Sequence, residues 1–183
     1  GYGYPVFNFY APLSYWLPSA LSLAGVPYIT SLLIGLTAAM VLAAAAMYLW
    51  ARDVLGEVPA LVAAAVYVFS PYLLFNLMTR VVLPELTALA LLPLVLWSLR
   101  RAALTPGRRY MLVGALALGA LILAHNVTTA LFAPLAAAYA LLLLLELRGA
   151  GASGQDPRRA AGRLVGALLG GLLLSAYFWL PAL

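Results

Sequence analysis

Two short stretches hold most of the side chains that could bind or transfer something. FNLMTRVVLPE sets Arg80 and Glu85 five residues apart around Pro84, and LAHNVTT places the lone His125 beside Asn126. An arginine fork matches a phosphate bidentately, and an imidazole titrates in the range that a reaction at pH 7 uses. Each group also has a plain structural use. Pro84 suits the first turn of a helix, which would put Glu85 where a carboxylate meets the favourable end of the helix dipole. Arg80 could snorkel to lipid phosphates, and Asn126 could cap a helix at a hairpin tip. A third stretch, GYGYPVFNFYAPL, interleaves Gly, Pro and aromatics. An aromatic belt at a membrane surface would explain the rings but not Gly1, Gly3, Pro5 and Pro12, whose backbone constraints point to an ordered loop. Such a loop could stack a sugar ring or a polyprenyl chain, with Tyr4, Asn8 and Tyr10 as its candidate contacts.

The elements that must position these residues follow from composition. The 183 residues are 66% hydrophobic and 8% charged, with a mean hydropathy of +1.05. That lies outside the usage of water-soluble domains. Backbone amides in hydrocarbon must be satisfied within a helix or a closed barrel, and long Ala/Leu runs without alternation favour helices. An all-α membrane protein is expected, organised as one helical domain over residues 1–183. With no Cys there is no thiolate chemistry, and no GxxxxGK, HExxH or Gly-x-Ser-x-Gly pattern is present.

Six apolar runs approach the roughly 20 residues that a span needs. They lie near residues 27–50, 58–78, 84–99, 110–124, 128–147 and 162–180. The run from Tyr110 to Leu147 would be about 57 Å long as a single helix, nearly twice the hydrocarbon thickness, so it must fold back at His125-Asn126. The third and fourth runs are short, which suits helices lining a cavity. Residues 11–24 hold Pro12 and Pro18 among aromatics and read as an interfacial or re-entrant helix. Residues 1–26 thus form an aromatic segment ahead of a six-span bundle over 27–183.

All ten basic residues are Arg, and nine fall in alternate gaps between the runs. The positive-inside rule makes those gaps cytoplasmic, and nucleic acid is not expected as a partner. The aromatic segment, Arg80, Glu85, His125 and Asn126 then share the extracytoplasmic face. Ionisable groups at membrane depth are costly and usually pair or line a cavity, so this sparse set is a site candidate.

GYGYPVFNFYAPLSYWLPSAL, TRVVLPELTALALLPLVLWSL, LAHNVTTAL and SAYFWLPAL, in that order, resemble the bacterial integral membrane family labelled 6-pyruvoyl-tetrahydropterin synthase related. That family in turn resembles the C-type glycosyltransferase superfamily. Nothing in these residues suggests pterin chemistry. The resemblance implies a polytopic enzyme in the bacterial cytoplasmic membrane that takes a sugar from a polyprenyl-phosphate donor on the extracytoplasmic side. It implies that Arg80, Glu85, His125 and Asn126 line the cavity. Arg80 would hold donor phosphate, and Glu85 would meet an acceptor hydroxyl or a divalent metal. Superfamily members generally carry an essential Asp or Glu in a loop after an initial span. The chain reads as a piece of a longer protein beginning beyond that loop, so Glu85 is the only catalytic candidate in view. A transporter or lipid flippase, or a non-catalytic scaffold packed through Ala/Gly-rich spans, are the competing readings.

Overall fold

The computed structural model describes residues 12–149 and 156–182, and every regular element among them is helical. In chain order these are α1 (Leu13–Leu23), α2 (Tyr28–Leu55), α3 (Glu57–Val68), α4 (Pro71–Phe75) continuing into a π-helical turn (Asn76–Arg80), and α5 (Leu83–Leu104). There follow α6 (Arg109–Ala124), α7 (Asn126–Gly149), α8 (Pro157–Leu174), α9 (Ala176–Trp179) and a closing 3₁₀ turn (Leu180–Ala182). Four stretches are long and apolar enough to cross a membrane: α2, the run Glu57–Arg80, α5 and α7. The helices at the fourth and sixth expected positions differ from these. α6 has only 16 residues, and the first two turns of α8 carry Arg158, Arg159 and Arg163.

Central α5 is the best-buried helix of the bundle, and α2 runs parallel to it. Pro18 of α1 and Leu83 of α5 crowd Gly35 at one end, where a Cβ on Gly35 would lie 3.2 and 3.3 Å from them. Asp53 meets Arg101 at the other end. Ser31, Gly35, Ala39, Ala43 and Ala46 are buried at helical spacing on α2, and small residues of this kind let two backbones approach closely. α6 returns antiparallel beside α5, with Tyr110 edge-on to Trp97 at 5.6 Å. α8 lies parallel to α6, seating Gly166, Gly170 and Gly171 against Met111, Ala115 and Leu118. α7 buries Phe132, Ala136, Ala140, Leu143 and Leu147 as one stripe, and the Trp50 indole donates to the Tyr139 hydroxyl at 3.1 Å.

Helix ends depart from the sequence expectation where arginines have partners inside the protein. The third run is not short: α5 spans 22 residues and carries Arg100 and Arg101 within the helix, stopping before Gly107 at φ 100°. α2 likewise continues through Arg52 and Asp53 to Leu55, where Gly56 at φ 91° ends it. The second run is broken at Ser70-Pro71, since the residue before a proline avoids the helical region. The helix expected over residues 11–24 is present as α1, packed on α2, α5 and α6.

Candidate functional site

Tyr72, Asn76 and Arg80 follow one another at four-residue spacing along α4 and its π turn, so they share a face. The buried Asn76 amide donates to the Tyr72 carbonyl at 3.2 Å, and its Oδ1 accepts from Arg80 Nη1 at 3.1 Å. The same Nη1 reaches Glu85 Oε2 at 2.8 Å, while the Tyr72 hydroxyl donates to Glu85 Oε1. Glu85 sits where Pro84 places it, in the first turn of α5.

The chain between Arg80 and Glu85 turns through Val81 at φ 50°, left-handed backbone that a β-branched residue rarely adopts. Two amides hold the corner: Val81 and Val82 both donate to the Asn76 carbonyl. This costs on the order of 1–2 kcal/mol of local strain. The return is geometric, because the turn folds Arg80 back onto Glu85 at the head of the next helix.

The guanidinium is only partly used. Nη1 serves both Asn76 and Glu85, whereas Nε and Nη2 have no partner among the described residues, and the side chain is 43% exposed. One edge of the fork is therefore anchored and the other is open. Glu85 is the reverse case: its side chain is 10% exposed, and each oxygen already accepts from a protein donor.

His125 and Asn126 lie at the same end of the bundle, since α6 runs back beside α5. The fold-back expected at these residues is present, but His125 rather than Asn126 caps α7. Its Nδ1 accepts from the Thr128 backbone N–H at 3.2 Å and lies 2.8 Å from the Thr128 hydroxyl. A backbone N–H can only donate, so Nδ1 is the acceptor and the neutral ring carries its proton on Nε2. Asn126 Oδ1 accepts from the Val127 N–H, within the same turn. Thr129 closes the junction by donating to the carbonyls of Leu121 and His125.

Among the described residues, no hydrogen bond or ion pair joins this junction to the Arg80–Glu85 pair. α1 touches both neighbourhoods: Ser14 reaches the Ala124 carbonyl at 3.4 Å, and Pro18 packs where Gly35 meets Leu83. Tyr4, Asn8 and Tyr10 lie outside the described residues. Among those described, no three His, Asp or Glu side chains gather as a metal site would need.

Two features escaped the sequence reading. Tyr72 was legible from its spacing with Asn76 and Arg80, but a tyrosine in an apolar run reads as membrane-interface padding. The Asp53–Arg101 pair, with Nη2 donating to Oδ1 at 2.7 Å and an Nε–Oδ2 ion contact at 2.5 Å, joins helices far apart in sequence and had no local signal.

No curated protein and no solved structure matches the chain. A family model described as "6-pyruvoyl-tetrahydropterin synthase related domain; membrane protein" matches residues 7–183, nearly the whole length. An apolar helical bundle with four membrane-length helices and an ion-paired turn at one end thus belongs to the 6-pyruvoyl-tetrahydropterin synthase related family of membrane proteins.

Proposed function

We propose that this chain is the donor-phosphate end of a membrane glycosyl-transfer enzyme, in which Arg80 holds the phosphate of a polyprenyl-phosphate-linked sugar. The observation that carries the reading is the half-anchored guanidinium: one edge is fixed by Asn76 and Glu85, and the Nε–Nη2 edge, at the end of an apolar bundle, meets no partner among the described residues. That edge is the planar pair of donors a phosphate takes bidentately. As the glycosidic bond breaks, negative charge grows on the departing polyprenyl phosphate, and a preorganised cation there stabilises the transition state.

In this reading Glu85 and Tyr72 are positioning residues. A carboxylate whose two oxygens already accept from Arg80 and Tyr72 serves better as an anchor than as a base or metal ligand. His125 and Asn126 shape the neighbouring junction. The topology that accompanies the proposal has six spans in a bacterial plasma membrane, α6 and α8 included, with the Arg-rich ends of α2, α5 and α8 in the cytosol and Arg80 on the outer face. Nine of ten arginines at one end support it through the positive-inside rule.

Arg80→Gln in the full-length protein tests the proposal, because glutamine has neither the charge nor the fork. Sugar transfer from a polyprenyl-phosphate donor in proteoliposomes should fall about 100-fold, the usual loss when one electrostatic donor is removed. Arg80→Lys should recover part of it. Wild-type transfer in a well-folded Arg80→Ala, Glu85→Ala, His125→Ala triple variant would reject the reading, and substrate flux without a covalent product would replace it with transport.

A further inference from the structure

With the neutral Arg80–Glu85 pair set aside, the whole formal net charge of +5 falls at the opposite end of the bundle. Apart from Arg52, which lies over the Tyr48 ring, and Arg148, in the last turn of α7, the arginines there divide into two sets. The inner set is spent on the fold. Arg101 grips Asp53, Arg100 donates to the Asp53 carbonyl at 3.4 Å, and Arg163 donates to the Ala102 and Ala103 carbonyls at 2.6 and 3.0 Å, closing the end of α5.

The outer set is Arg108, Arg109, Arg158 and Arg159, all exposed. Arg109 lies against the Tyr110 ring, 5.6 Å from its centroid, which steadies the side chain without consuming its N–H groups. The acidic residue paired with this set is Asp156, which caps α8 and stands 3.7 Å from Arg159. The other exposed acids, Glu57 and Glu146, are on α3 and α7. α6 and α8 pack together at this end, with Met111 against Gly166, and α8 begins about two turns further out than α6, so the four arginines follow one another along the same end of the bundle. Along the same two helices the exposed side chains turn apolar at once: Leu112 and Leu116 on α6, Val165 and Leu169 on α8.

We propose that Arg108, Arg109, Arg158 and Arg159 form a binding surface for anionic phospholipid, the headgroup held by the guanidinium groups and the acyl chains lying along the apolar faces of α6 and α8. Charge and apolar surface are stacked in the order in which a phospholipid presents phosphate and hydrocarbon. A soluble anion would use the first and leave the second idle. The proposal is independent of sugar transfer. Each guanidinium near an anionic surface contributes roughly a fivefold gain in binding, so four together give roughly several hundredfold.

The test is thermal unfolding of the purified full-length protein in neutral detergent, titrated with short-chain phosphatidylglycerol, short-chain phosphatidylcholine or inorganic phosphate. Phosphatidylglycerol should raise the melting temperature at a concentration roughly several hundredfold lower than phosphatidylcholine does. Replacing the four arginines by glutamine should abolish that preference, and Arg80→Gln should keep it. Should the fourfold variant fail to fold, Arg108→Gln with Arg109→Gln should weaken the preference by more than tenfold. Equal responses to the two lipids, a preference surviving the substitutions, or a full response to inorganic phosphate would overturn the proposal.

Discussion

Arg101→Ala should lower the unfolding free energy of the detergent-solubilised protein by about 3 kcal/mol, and Asp53→Ala by clearly less. The asymmetry follows from burial: Asp53 is 10% exposed in its side chain and Arg101 is 34% exposed. Removing the arginine strands a carboxylate between α2 and α5 with its strongest partner gone. Removing the aspartate leaves a long side chain at the bundle end that can swing outward, still resting against Tyr110. An Asp53→Ala, Arg101→Leu double variant should regain much of the stability, since an apolar pair leaves nothing unpaired. Urea unfolding of the four proteins gives these losses and the regain directly, and equal losses for the two single variants would contradict this account.

The second large effect is expected where α6 and α8 meet. A Cβ on Gly171 would stand 2.7 Å from Leu118 Cβ and 2.8 Å from its Cγ, so even Gly171→Ala forces the helices apart. Overpacking of this kind costs about 1–3 kcal/mol, and Gly171→Leu should prevent recovery of folded protein. Gly162, two turns earlier on the same helix, has open space where its Cβ would be. Gly162→Ala should therefore stabilise by up to about 1 kcal/mol through helix propensity alone. Thermal unfolding of the two alanine variants side by side separates packing from propensity. Destabilisation by both would mean that glycine is needed for a reason other than close approach.

The elements could be read from the chain because bilayer physics is local: an apolar run of sufficient length must be a helix, and its neighbours break it at Gly or Pro. The boundaries failed for a physical reason. Arg52, Arg100 and Arg101 signal a membrane edge when only their charge is counted, yet a partnered arginine is tolerated inside a helix: Asp53 serves Arg100 and Arg101, and the Tyr48 ring serves Arg52. Pro84 and Glu85 were legible because a first-turn proline followed by a carboxylate is a helix-start signal. The link from Glu85 to Tyr72 was not, because it depends on a left-handed valine at residue 81 that no propensity favours. His125 shows the limit from the other side. Its type suggested chemistry, and its contacts show a cap.

At the centre of the account is the claim that Arg80 stands where it does for its open edge, and not merely to neutralise Glu85. Exchanging the two, as Arg80→Glu with Glu85→Arg in one full-length protein, keeps an ion pair between the same two positions and removes the fork from the open side. The account predicts a folded protein, less stable than wild type because a cation replaces the carboxylate at the head of α5, that transfers sugar from a polyprenyl-phosphate donor on the order of 100-fold more slowly. Wild-type transfer by the exchanged protein would show that the pair only holds α4 to α5, and would contradict the phosphate-binding role.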